Sequence, residues 1–180
     1  MFDPTAFDNM KVVIEGAIYD LDLDGEISII DRNDLFNLAK LSRSFNVSFK
    51  LPGNKTRRVM AKILLESNLE NLAAELLTGS LSEKDTGSMV KLEFFLEGAL
   101  APDDYKQIEV ILLDVWGETR KIQQMVHYYP LENHRDILNI FTVEFERLVR
   151  EEQLDDLAGM VQFMITTVQQ LSKFTSKPAL

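Results

Sequence analysis

The sequence predicts an α+β protein made of two similar β-β-(α)-β-α-α units from an internal duplication, with a mainly antiparallel sheet packed against helices. Three observations predict it. Short stretches such as Val47-x-Phe49-x-Leu51 and Leu92-x-Phe94-x-Leu96 alternate, which is strand spacing. Leu154 to Phe174 instead carries Leu157, Val161, Met164, Ile165, Val168 and Leu171 at helical spacing. Thirdly, five blocks of sequence recur in the same order along the chain. The 180 residues, 46% of them hydrophobic, suffice for one domain or for two small units sharing a core.

Lys11 to Asp31 is rich in Val, Ile and Tyr and reads as a β-hairpin turning at Asp24-Gly25. Asp31 or Asn33 then caps a short helix, Asp34 to Arg43, whose Leu35, Leu38, Ala39 and Leu41 fit helical spacing. Val47, Phe49 and Leu51 form a strand up to the turn Pro52-Gly53-Asn54. Helix is expected from about Thr56, with Val59, Met60, Ile63 and Leu64 on one face, and Ser67-x-x-Glu70 restarts it towards Leu77. Thr78 to Ser88 reads as a linker. Met89 to Leu100 reads as a strand, and Lys106 to Trp116 and Thr119 to Tyr129 as two more joined at Gly117-Glu118. His134 to Arg150 sets Ile137, Leu138, Phe141 and Phe145 on one side and reads as a helix before the last one.

The recurring blocks begin with Glu15-Gly16-Ala17-Ile18, repeated as Glu97-Gly98-Ala99-Leu100. Glu26 to Asp31 returns as Glu109 to Asp114, and Pro52 as Pro130. Val59 to Glu66 is echoed by Ile137 to Glu144, and Leu69 to Ala73 by Leu154 to Ala158. The offsets run from 78 to 85 residues. They divide the chain into units 1–85 and 86–180 with one shared core, because either half alone has too little apolar surface to bury. A groove between the units is the expected binding place.

Charge narrows the partners. With 19 basic against 29 acidic residues the net charge is −10, so nucleic acid and anionic membrane are poor partners. The absence of Cys removes disulfides, thiolate nucleophiles and Cys-ligated zinc. No apolar run reaches a membrane span, and the acidic start lacks the form of a secretory signal, so a soluble cytoplasmic protein is expected.

One motif carries metal chemistry. Asp20, Asp22 and Asp24 alternate, followed by Gly25, Glu26, Ser28 and Asp31. This twelve-residue stretch resembles the EF-hand calcium loop, in which alternate carboxylates wrap a hard cation and Gly permits the turn. The resemblance implies calcium ligands at Asp20, Asp22, Asp24, Glu26 and Asp31, although Asp31 stands where the family has a bidentate Glu. A hairpin with the loop Leu23-Asp24-Gly25 explains the same residues and is preferred, with calcium as the alternative.

Other candidates are weaker. His127 and His134 flank Pro130 but lack a third ligand. Pro52 to Thr56 resembles a P-loop end without its first Gly. Lys50, Lys55, Arg57, Arg58 and Lys62 form a basic cluster able to meet an anion, though such clusters are usually solvated. Met160, Phe163 and Met164 in the last helix serve either the core or a dimer face. No catalytic constellation emerges. The expectation is a non-catalytic binding, scaffolding or regulatory protein acting through protein–protein contacts, in one form a homodimer, with a calcium-binding protein and a small carboxylate-based enzyme as the alternatives.

Overall fold

A computed structural model describes residues 5–53, 59–76, 85–131 and 136–176. Helix α1 (Ala6–Leu23) buries Phe7, Met10, Ile14, Ile18 and Leu21, a stripe at steps of three and four. The Thr5 hydroxyl caps it by accepting the Asp8 amide. At its other end the Glu26 amide reaches Leu21 O and the Gly25 amide reaches Asp22 O, with Gly25 at φ +75°. This is a Schellman closure. The hairpin expected over Lys11 to Asp31 is therefore a helix followed by strand β1 (Ser28–Asn37). Val12, Val13 and Gly16 favour a strand locally, but docking the apolar stripe onto a sheet outweighs propensity.

Strands β1, β2 (Ser42–Lys50) and β3 (Val59–Ser67) form an antiparallel meander. The helix expected over Asp34 to Arg43 is the end of β1 and its turn into β2, and Leu35, Leu38 and Leu41 are exposed. The helix expected from Thr56 is β3, which buries Val59, Ala61, Ile63 and Leu65 on one face. Apolar residues on both faces of Val59-Met60-Ala61-Lys62-Ile63-Leu64-Leu65 satisfy either period, and cross-strand pairing decides between them. Helix α2 (Leu69–Leu76) then starts one residue later than the expected Ser67 cap, through reciprocal bonds between Asn68 and Asn71.

The second part contains β4 (Ser88–Glu97), α3 (Pro102–Trp116), β5 (Lys121–His127), β6 (Leu138–Val149) and α4 (Leu154–Thr175). β4, β5 and α4 match expectation. Lys106 to Trp116 is a helix, not a strand, and buries Ile108, Leu112 and Trp116 four residues apart. His134 to Arg150 was expected as helix, yet Leu138–Val149 is a strand burying Asn139, Phe141, Val143 and Phe145 in alternation.

Among the described residues, six strands form one antiparallel sheet in the order β1-β2-β3-β4-β6-β5. Helices α1, α3 and α4 bury their stripes against one face of it, and one hydrophobic core runs across the sheet through β3 and β4. The proposed duplication is not confirmed, because two of its five blocks lie in unlike elements. Glu15 to Ile18 is helical while Glu97 to Leu100 ends a strand, and Glu26 to Asp31 leads into a strand while Glu109 to Asp114 is helical.

The β1 side is tied to α1 by charge. Asp34 accepts from Lys11 at 2.6 Å and from Arg43 at 3.2 Å, and Arg43 also donates to Asp8 at 2.7 Å. Burial alone would raise both carboxyls, but the Thr5 hydroxyl and Arg43 hold Asp8 down, and Arg43 and Lys11 hold Asp34 down. A carboxyl lowered by folding stabilises above its unfolded value and loses that contribution as pH falls through its folded value. Replacing Arg43 by Met is expected to cost about 1 kcal/mol at neutral pH, after allowing for solvent screening. In urea titrations that difference should shrink as pH falls below the ordinary carboxyl value of 3.8. A gap that persists in acid would instead assign Arg43 a packing role over the Phe7 ring, 4.6 Å away.

Candidate functional site

Because strands alternate their side chains, the face turned away from the helices can be read from the register. Lys50, Met60, Phe95, Ile140 and Met125 are successive cross-strand partners on that face. The next row runs Ser48, Lys62, Glu93, Thr142 and Gln123, and the one after it Asn46, Leu64, Lys91, Glu144 and Lys121. Three ion pairs cross this face: Lys62 lies 3.0 Å from Glu93, Lys91 3.1 Å from Glu66 and Lys121 3.3 Å from Glu144, while Lys50 is exposed at the end of the first row. Among the described elements none packs over this face. One end of it is apolar and the rest is polar with paired charges.

The apolar end continues into the connection after β5. Met125, Tyr128 and Tyr129 are 56%, 59% and 70% exposed, and with Ile137 and Leu138 they line a cleft of about 930 Å³. Glu97 and Asp136 add carboxylates to its wall. Single exposed apolar residues are ordinary, whereas these form a contiguous set beside a cleft. Asn139 braces this corner from within. Its amide donates to Leu96 O and Gly98 O at 3.1 and 2.7 Å, and its carbonyl accepts from Tyr105 at 2.8 Å. These bonds fix the end of β4 and the start of α3 against β6. A hollow of about 770 Å³ at the opposite end is lined by Leu35, Phe36, Leu38 and Met89, but there Arg43 is already engaged by Asp34 and Asp8.

The metal candidates are spread along the chain's first turn region. Asp20 and Asp22 stand in the last turns of α1, Asp24 at its C-cap, Glu26 in the connecting turn and Asp31 in β1. Asp22 accepts the Ile29 amide at 2.9 Å, and Asp31 accepts from Asn33 at 2.8 Å. The segment entering this loop is helical after all, but the one leaving it is a strand, unlike a helix-loop-helix calcium site. Among the described residues no three His, Asp or Glu side chains are grouped to hold a metal.

Of the remaining candidates, His127 is exposed at the end of β5 with Nε2 3.0 Å from Met125 Sδ, and His134 lies outside the described residues. Lys55, Arg57 and Arg58 also lie outside them, while Lys62 is paired with Glu93. Met160 and Met164 are core residues, and Phe163 is 55% exposed beside the Trp116 ring. For carboxylate chemistry, burial pushes Glu75 up, with Glu151 and Asp8 adding to the rise. No nucleophile is placed with it among the described contacts.

Comparison with protein-family models, curated proteins and solved structures gives no match for this chain. No described helix is long and apolar enough to cross a membrane. Sequence reasoning missed the apolar corner, although the apolar and aromatic cluster Met125-Val126 running into Tyr128-Tyr129-Pro130 held a signal. Its other members, Met60, Phe95 and Ile140, join it only through strand pairing.

Proposed function

We propose that the protein is a non-catalytic binding module that acts through protein–protein contacts at this corner. It takes an apolar segment of a partner across Met60, Phe95 and Ile140 and into the cleft beside Tyr128 and Tyr129. The observation that supports this most is the continuity of the half-buried row Met60, Phe95 and Ile140 with the exposed Met125 and the cleft, beside three ion pairs on the same face. Burying one such side chain is worth roughly 1.5–3 kcal/mol, so a few contacts outweigh the ordering cost of a short segment. Glu97 and Asp136 favour a segment that also carries a Lys or Arg. Tyr side chains suit this role because they offer rigid area and a polar tip.

The test uses an apolar fluorescent dye, bis-ANS, together with random peptides displayed on phage. The native protein should bind the dye and enrich apolar peptides with a basic residue. Replacing Tyr128 and Tyr129 together by Ser should weaken dye binding about tenfold or more while leaving the circular dichroism unchanged. Equal dye affinity in the two proteins would sink the reading.

A further inference from the structure

The two edges of the sheet are built differently, and the difference points to a partner. β1 is blunted: its register slips between Ile29 and Asp31, Arg32 and Asp34 point to the helix side, and each is paired with a residue of α1. Bulges and inward charges are the usual means of keeping a sheet edge from pairing. β5, which ends the sheet on the other side, is regular in its pairing with β6 over Lys121 to His127. It carries no carboxylate and no charge between Ile122 and Val126. In a chain of net charge −10 the strand itself sets no acid at this edge, and the nearest carboxylate on its helix side, Glu109 of α3, is held by the Gln124 amide at 2.7 Å.

We propose that β5 pairs antiparallel with β5 of a second copy about a two-fold axis at Gln124, continuing the sheet across both chains. The symmetry follows from the fold. A two-fold perpendicular to the sheet keeps the helices of both copies on one side, and directly opposed residues then belong to the same face. Among such registers, the one centred on Gln124 pairs the whole strand. It sets Ile122 against Val126 of the other copy, Gln123 against Met125, and Lys121 against His127. Val126 is 41% exposed in the single chain and gains an aliphatic neighbour, while the outer backbone groups exchange water for strand partners. This goes beyond the binding module above, since it rests on the backbone edge of β5, whose Met125, Val126 and His127 also border the cleft.

The absence of Cys allows a direct test on the full chain. Light scattering over a dilution series should give twice 20.6 kDa. Gln124→Cys, treated with a short bis-maleimide, should form a covalent dimer, because opposed Cβ atoms lie about 4.5–5.5 Å apart. Asn33→Cys, in the blunted edge, should not. Gln124→Glu opposes two carboxylates at the axis, sets each beside Glu109 of its own chain, and should give the 20.6 kDa species. Gln124 also donates to Glu109 at 2.7 Å, so Gln124→Ala, which loses that bond without adding charge, should remain dimeric. A 20.6 kDa native protein would overturn the proposal, as would a dimer that Gln124→Cys does not cross-link and Gln124→Glu leaves intact. Dye binding by the monomeric Gln124→Glu protein keeps the two proposals separable.

Discussion

Replacing Trp116 by Ala should lower stability by about 3–5 kcal/mol, the usual cost of emptying a buried aromatic site. Trp116 ends α3 and is 8% exposed. Its ring centroid lies 6.4 Å from Phe94 of β4, 6.1 Å from Phe145 of β6 and 6.0 Å from Phe163 of α4. The edge-on contact with Phe145 and the tilted ones with Phe94 and Phe163 are favoured aromatic geometries. Its indole also donates to Thr167 at 3.1 Å, which joins α3 to α4. One residue therefore links two strands and two helices, and the cavity left by Ala could not close by moving any one of them. Chemical denaturation followed by far-ultraviolet circular dichroism measures the loss. Trp116→Phe should cost less, since it keeps most of the packing and forfeits the hydrogen bond. Equal losses for both would mean that the hydrogen bond, not the ring volume, is what matters.

Gly87→Ala should cost about 2–5 kcal/mol, combining a strained backbone with an overlap that cannot relax easily. Gly87 precedes β4 at φ +123°, where a Cβ would sit 2.5 Å from Val149 O and 3.2 Å from its carbonyl carbon. Both atoms are backbone at the end of β6, so relief requires moving a strand. Gly16 provides the contrast. It lies within α1, and a Cβ there meets nothing within 4 Å. Gly16→Ala should stabilise by about 0.5–1 kcal/mol through helix propensity. Opposite signs from the same chemical change, measured as midpoint shifts in urea, would show that the approach of β4 to β6 is what demands Gly87. A neutral Gly87→Ala would mean that this end of the sheet yields easily.

The class of fold was legible from periodicity, and so were α4, β4, β5, α2 and the strand around Val47. Two of the errors share one cause. Val59 to Leu65 and Leu138 to Phe145 carry apolar residues at spacings that suit helix and strand alike, so local pattern could not separate them. α1 failed differently: its β-branched residues argue for strand, and only a sheet surface able to bury Phe7, Met10, Ile14 and Ile18 makes the helix win. Gly25 stands at the turn the sequence marks and adopts a left-handed conformation there, but it closes a helix and not a hairpin. The same local geometry serves both turns, and chain-distant contacts select between them.

By itself the sequence determined that this chain mixes helix and strand, buries one aliphatic and aromatic core, and carries more acid than base. Those properties depend on composition and on neighbours within a few residues. Strand order was decided only by tertiary structure, and with it came the uncovered face, the apolar row across β3, β4, β6 and β5, and the contrast between a blunted and an unblunted edge. Met60 and Met125 are 65 positions apart in the chain yet lie in one cross-strand row. No local period encodes that neighbourhood, because each strand gains a partner only when the whole sheet closes its long loops against the core.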